Sequence, residues 1–241
     1  MKACIILPTY NEKENIGDLL NALLKEFGHI KDFDMCVLVV DDNSPDGTSE
    51  IVKEYTKKHS NIFLLKRDKK EGLGAAYVAG FEYAIDKLGA DIVFEMDADS
   101  SHAPKHIPKF LEEIDNGSDF VIGSRYIDGG GTPDWTFKRR AISYGGNLIG
   151  RIIAGMKGVR DCTSGYRAIK TSLLRKIDFN SINEKGYAFQ LSLLHAALNR
   201  GAKLREIPIV FHDRRRGASK LEISDLLEFI KTAIRLRLKG Y

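Results

Sequence analysis

Cysteine is scarce in this 241-residue chain. The three present, Cys4, Cys36 and Cys162, are an odd number with no Cys-x-x-Cys spacing. That excludes a disulfide framework and a cysteine zinc site and points to a reducing compartment. Cys4 and Cys36 fall inside apolar runs and read as small core residues. No apolar run of about 18 residues occurs, so no transmembrane helix is expected. The chain enters its first strand without the pattern of a signal peptide. Internal repeats and low-complexity segments are missing too. An excess of one charge is also lacking: 37 Lys and Arg stand against 33 Asp and Glu, a net of +4. A balance that mild gives no footing for nucleic-acid binding. Finally, the first strand-to-helix turn, Pro8-Thr9-Tyr10-Asn11-Glu12, contains no glycine, and no Walker-type lysine appears. The dinucleotide-binding fingerprint and the P-loop are therefore excluded.

What remains is a globular chain, 43% hydrophobic and 29% charged, long enough for one large domain or one domain with a small appendage. Apolar strands and helically spaced segments alternate. Ala3 to Leu7 reads as a buried strand, and Asn11 with Glu14 reads as a capping box for a helix with Ile16, Leu19, Leu20, Leu23, Leu24 and Phe27 on one face, stopped at Gly28. Met35 to Val40 and Ile62 to Leu65 are further strands, separated by the turn Asp41 to Gly47 and a helix through Tyr55. Gly72-Leu73-Gly74 opens a helix to about Leu88. Ile92, Val93, Phe94 and Met96 form a central strand. A helix over Pro104 to Ile114 leads to the strand Phe120 to Ile122. This order predicts an α/β fold: a mostly parallel central sheet with helices on both faces. Downstream, a glycine-rich loop (Asp128 to Pro133) precedes a helix from Phe137 to about Ile153, a strand over Cys162 to Ile169, a helix over Tyr187 to Asn199, and an edge-type strand over Lys203 to Val210 with Pro208. Residues 1–220 are expected to form the catalytic domain. Residues 221–241 are expected to form an amphipathic tail helix with Ile223, Leu226, Leu227, Ile230, Ile234 and Leu238 on one side.

Acidic residues gather at the carboxyl ends of the predicted strands, where parallel α/β sheets bind ligands. Asp97 and Asp99 follow the central strand with one residue between them. From spacing alone they are either holders of a hard divalent cation or a turn acid and a helix cap. Tyr10 and Glu12 are either a ring platform and an acid for a nucleoside or the start of a capped helix. Asp41 is either an acceptor for base or ribose or a turn acid. Gly72 and Gly74 allow close approach of backbone to phosphate or sugar, or simply tight packing.

Taken together these motifs resemble a known family. Pro8 to Glu12, Val39 to Thr48, Gly72-Leu73-Gly74 and Met96-Asp97-Ala98-Asp99 follow one another as in family-2 inverting glycosyltransferases of the GT-A type. Gly123-Ser124-Arg125-Tyr126, Arg139-Arg140 with Ser143, Asp161 to Arg167, and Arg214 with Gly217, Ser219, Lys220 and Leu221 are similar to the polyprenyl-phosphate (dolichol-phosphate) mannosyltransferases. The resemblance covers nearly the whole chain, and its downstream motifs are the more specific. It implies that Pro8, Tyr10, Glu12, Val39 and Asp41 hold the nucleoside of GDP-mannose. It implies that Asp97 and Asp99 bind Mg²⁺ or Mn²⁺, with Ser101 at a position that varies between Gln and Ser in the family. It implies that Arg125, Arg139, Ser143, Arg214 and Lys220 hold the phosphates of acceptor and donor. Some relatives carry C-terminal transmembrane helices; none is expected here. The implied setting is therefore peripheral, on the cytoplasmic membrane face, with small membrane-anchoring subunits as conceivable partners.

The chemistry suits these residues. A phosphate monoester is already largely anionic at neutral pH, its second pKa being about 6, so its attack on the anomeric carbon needs no strong base. It needs cations that bring two anions together, a task for which the arginine fork is well shaped. Three rivals remain from sequence alone. One is the same transfer from UDP-glucose. Another uses a sugar hydroxyl as acceptor, with Asp128, Asp134 or Asp161 as base. The third is a non-catalytic membrane-bound binding module. The apolar faces of the Phe137–Ile153 helix and the tail, joined to Lys and Arg, suit either a membrane interface or docking on the core.

Overall fold

The computed structural model describes residues 1–182, 184, 186–213 and 223–238. The elements run β1 (Lys2–Thr9), α1 (Lys13–Phe27), β2 (Asp34–Asp41), α2 (Thr48–Lys58), β3 (Ile62–Lys66), α3 (Leu73–Asp86), β4 (Ile92–Glu95), α4 (Ile107–Asp115), β5 (Phe120–Ser124), α5 (Phe137–Ile152), β6 (Arg167–Lys170), α6 (Thr171–Leu174), α7 (Tyr187–Asn199), β7 (Leu204–Pro208) and α8 (Ile223–Leu238). The seven strands form one sheet in the order β3-β2-β1-β4-β6-β5-β7. All pairings are parallel except those of β6, which runs antiparallel between β4 and β5.

Alternation along each strand divides the core in two. Cys4 and Ile6 of β1, with Cys36, Leu38 and Val40 of β2, face one layer that includes Tyr77 and Phe81 of α3 and Phe189 and Leu193 of α7. Ala3, Ile5 and Leu7, with Val37 and Val39, face the opposite layer, where Leu19 and Leu23 of α1 and Phe110 and Ile114 of α4 pack. Period-two alternation on strands buried on both faces produces this arrangement. Gly80 of α3 is required by it: a Cβ there would lie 2.7 Å from an Ile6 methyl.

Two expectations are corrected. Asn11 does not cap α1. It sits in the left-handed region (φ 61°), and Glu12 takes the N-cap position. The free N–H groups at this helix start are satisfied from the neighbouring turn instead. Asn11 N–H donates to Ser44 Oγ, Glu12 N–H to Thr48 Oγ1 and Lys13 N–H to Asp46 Oδ2, each at 3.0 Å. Residues 161–166 are not strand; pairing begins at Arg167. Of the two placements left open for the tail stripe, the described part takes the outward one. Phe229, Thr232, Ala233 and Leu236 of α8 are buried, whereas Leu226, Leu227, Ile230, Ile234 and Leu238 point outward.

Candidate active site

The carboxyl ends of β1, β2 and β4 lie side by side because these strands are parallel neighbours, with Thr9 in register with Asp41. Asp41 is fully buried. Its carboxylate accepts from Ser49 Oγ at 2.7 Å and from Ser44 N–H at 3.1 Å, and Thr9 Oγ1 lies 3.4 Å away. Asp42 is bound by Arg67 at 2.8 Å. Pro8 and Tyr10 are half-buried, and the Lys70 ammonium stands 4.2 Å from the Tyr10 ring centre. Glu12 Oε2 accepts from Asn15 Nδ2 at 2.8 Å. Val39 is fully buried within the α1 and α4 layer, so its side chain is part of the core rather than of the site surface.

At the end of β4 the chain folds into a tight polar turn. Asp99 is buried, and its Oδ1 accepts from the N–H and hydroxyl of Ser101 at 3.0 and 2.6 Å. Ser100 takes the left-handed conformation (φ 64°) that closes this turn. Asp97 is more open, and its N–H donates to His102 Nδ1 at 3.0 Å. Burial presses the His102 pKa down to about 4, so the ring is neutral. It stacks on Tyr166 at 4.8 Å and meets the edge of Phe211 at 5.5 Å. Asp97 and Asp99 supply hard oxygen donors suited to Mg²⁺ or Mn²⁺. Among the described residues no set of three His, Cys, Asp or Glu converges on one point. Two carboxylates fit an ion whose remaining positions are filled by diphosphate or water oxygens, and the Ser101 hydroxyl shapes Asp99 rather than adding a third acid.

A loop from the downstream half reaches the same place. A Cβ on Gly165 would stand 3.8 Å from Asp97 Oδ1 and 3.7 Å from His102 Cε1. This 161–166 loop also grips Arg125. The guanidinium is bidentate to Asp161 at 2.7 Å on each arm, reaches Thr163 Oγ1 at 2.7 Å, and is almost wholly enclosed. Burial works against both charges of the pair, but each partner outweighs it. The Arg125 pKa is raised and that of Asp161 lowered from the ordinary value. Below the loop, fully buried Arg167 donates to the carbonyls of Ser164, Gln190 and Cys162. Its neighbour Glu95, 3.7 Å away, is pushed up to about 7 by burial.

Arg139 and Ser143 lie one turn apart on α5. Ser143 Oγ is 2.8 Å from the Tyr126 hydroxyl. Arg139 lies over the Trp135 ring at 4.2 Å and is ion-paired with Asp213. Asn147 ties α5 to the loop: Cys162 N–H donates to its Oδ1 at 2.7 Å, and its Nδ2 donates to Thr163 Oγ1 at 3.2 Å. Arg214 and Lys220 fall outside the described residues. Thus one sheet edge collects Pro8, Tyr10, Glu12, Asp41, Asp97, Asp99 and Ser101, and the 161–166 loop joins that edge to Arg125, with α5 beside it. Sequence reasoning missed His102, Glu95, Trp135 and Asn147. His102 had one available signal, a histidine three residues beyond an Asp-x-Asp pair.

Comparison with known proteins agrees with this layout. Residues 4–178 match Glycosyl transferase family 2. The chain is 39% identical over 228 residues to a polyprenol monophosphomannose synthase of Mycolicibacterium smegmatis, covering 94% of this chain and 83% of that one. It is 40% identical over 223 residues to an undecaprenyl-phosphate mannosyltransferase of Micrococcus luteus, covering 92% and 88%. It is 35% identical over 237 residues to a dolichol-phosphate mannosyltransferase of Pyrococcus furiosus, covering 98% of this chain but only 64% of that one. Glucosyl-3-phosphoglycerate synthase of Mycobacterium tuberculosis, solved with Mn²⁺, UDP and glucosyl-3-phosphoglycerate, shares the GT-A fold at a TM-score of 0.67 with 18% identity, over 99% of this chain and 79% of that one. The chain is a glycosyltransferase of family 2 and belongs with its polyprenyl-phosphate mannosyltransferases.

Proposed function

We propose that this enzyme transfers mannose from GDP-mannose to a polyprenyl phosphate of the dolichyl type, with inversion to a β-linked lipid-phosphate mannose, at the cytoplasmic face of a membrane. The observation that carries the reading is the meeting at Gly165 of an acidic turn suited to a metal–diphosphate and a loop that holds a buried arginine. Donor and acceptor chemistry then share one small volume. Relatives named for mannose transfer to polyprenyl, undecaprenyl and dolichol phosphates supply the substrate class.

The roles follow from charge. Asp97 and Asp99 would hold Mg²⁺ or Mn²⁺, which when bound offsets negative charge developing on the departing diphosphate. Asp41, Glu12 and the Tyr10 ring form the nucleoside side. Arg125, Arg139 and Ser143, with Arg214 and Lys220, serve the phosphates. No base is required, and two of the three residues considered for that role, Asp161 and Asp134, are otherwise engaged. Asp161 is buried and locked to Arg125, and Asp134 binds His212 Nδ1 at 3.0 Å. That favours a phosphate over a sugar hydroxyl as acceptor.

Lipid access comes from α5 and α8. Phe137 and Ile152 are 88% and 65% exposed on α5, and Leu227 and Leu238 are 53% and 82% exposed on α8. No helix among the described residues is long and apolar enough to cross a membrane. An outward apolar stripe beside the basic Arg237 suits a helix lying in the headgroup region. Arg235 is used differently, as the ion-pair partner of buried Glu184.

The test supplies GDP-mannose or UDP-glucose with dolichyl phosphate or dolichol, with and without EDTA, and assigns the anomeric linkage of the product by NMR. Metal-dependent β-mannosyl phosphate from the first pair alone is expected. Transfer to the alcohol, or from UDP-glucose in preference, would refute the reading.

A further inference from the structure

Trp135 is the only tryptophan of the chain and is 6% exposed. It stands immediately before Thr136, which caps α5 by accepting from Arg139 N–H. Helical side chains lean toward the N-terminus of their helix. Arg139 therefore folds back over the Trp135 ring, with its guanidinium carbon 4.2 Å from the ring centre. Arg125 approaches the same ring at 5.3 Å, and Phe211 meets it edge-on at 5.4 Å. One indole is thus in contact with two of the arginines assigned to the phosphates, Arg125 and Arg139. Its Nε1–H is buried and has no hydrogen-bond partner among the described residues. The first turn of α5 is Phe137-Lys138-Arg139-Arg140 with no acid, although a helix start favours negative charge. The nearby acid is supplied from elsewhere: Asp213 pairs with Arg139, while Asp134 accepts from Asp213 N–H at 3.4 Å.

We propose that Trp135 is a positioning residue for the acceptor phosphate: its ring fixes the Arg139 and Arg125 guanidiniums, and Asp213 holds the Arg139 fork until a prenyl phosphate replaces it. Carboxylate and phosphate are alternative partners of one guanidinium fork, so the exchange needs no new cation. The aromatic face keeps Arg139 in place while its anion changes. The proposal rests on the reading that Arg139 receives the acceptor phosphate.

The experiment has two arms on the full chain. In the first, the fluorescence of the single tryptophan is followed while water-soluble citronellyl phosphate is added, with citronellol as control. A saturable change with the phosphate only, lost in Arg139→Gln, is expected; no change in the wild type would overturn the proposal. In the second, KM for dolichyl phosphate and for GDP-mannose is measured in Trp135→Leu, Trp135→Phe, Asp213→Asn and Arg139→Gln. Trp135→Leu should raise acceptor KM about tenfold with donor KM within about twofold, and Trp135→Phe should recover most of the loss. Asp213→Asn should lower acceptor KM about threefold. Donor and acceptor KM rising together, or Phe performing no better than Leu, would show a merely structural tryptophan. An unchanged acceptor KM in Arg139→Gln would instead refute the underlying reading of Arg139. A raised value there with Trp135→Leu unchanged would refute the positioning role alone.

Discussion

The upstream and downstream halves hold their charges by opposite means. At the edge formed by β1, β2 and β4, acids are held mainly by neutral donors: Asp41 by Ser49 and Ser44, Asp99 by Ser101. Downstream, arginines are held by carboxylates and rings: Arg125 by Asp161, Arg139 by Asp213 and Trp135. A hydrogen bond from a neutral donor to a carboxylate contributes about 1.5–3 kcal/mol, whereas stranding a buried charge costs about 3–5 kcal/mol. The upstream site should therefore tolerate loss of a supporting hydroxyl. The downstream site should fail structurally when the buried carboxylate Asp161 is removed, whereas the exposed Asp213 should matter for binding rather than for folding.

The sharpest way to break this contrast is Asp99→Ala. It removes the acid proposed to hold the metal from a turn otherwise held by backbone geometry, so transfer should fall by about a thousandfold or more while the melting temperature changes little. Rate assays with calorimetry check both. Asp161→Asn should do the reverse in emphasis. It leaves buried Arg125 without its counter-charge and should cost about 3–5 kcal/mol in urea unfolding, with activity lost as a consequence. On the outer face, Leu227→Glu with Ile234→Glu should weaken binding to anionic vesicles by about tenfold or more. Transfer to a water-soluble prenyl phosphate should be kept, as flotation and rate assays would show.

The smallest effect concerns pH. Burial lowers His106 to about 4, below its ordinary 6.5. A depressed histidine contributes stability that is present above about pH 6.5 and is lost as pH falls toward 4, because the unfolded chain takes up the proton first. His106→Gln should therefore reduce the stability lost between pH 7 and 5 by about 1–2 kcal/mol, measured by urea unfolding at both values.

Much of the fold was legible because it is written in local periodicity. The strands β1 to β5 and the helices α1, α3 and α7 follow from runs and spacing, and the parallel order placed the acids of Asp41, Asp97 and Asp99 on one edge. What stayed hidden was non-local. The antiparallel entry of β6 between β4 and β5 leaves no periodic trace. The start of α1 is capped by side chains more than thirty residues away, so Asn11 and Glu14 misled. Glu95 was passed over inside an apolar run because its partners Arg167 and Gln190 are distant in sequence. The α8 stripe was recognised as apolar, but periodicity cannot say which of two faces meets the protein. Here Phe229, Ala233 and Leu236 took the core.

The measurement that bears most directly on the central claim is transfer of radiolabel from GDP-mannose into dolichyl phosphate, with Mn²⁺ or EDTA, by the wild type, Asp99→Ala and Arg139→Gln. The account predicts label in the lipid phase only with metal. It predicts near-complete loss in Asp99→Ala at any acceptor concentration, and a loss in Arg139→Gln that rising acceptor concentration overcomes. Metal-independent transfer, or an Arg139→Gln defect indifferent to acceptor concentration, would contradict it.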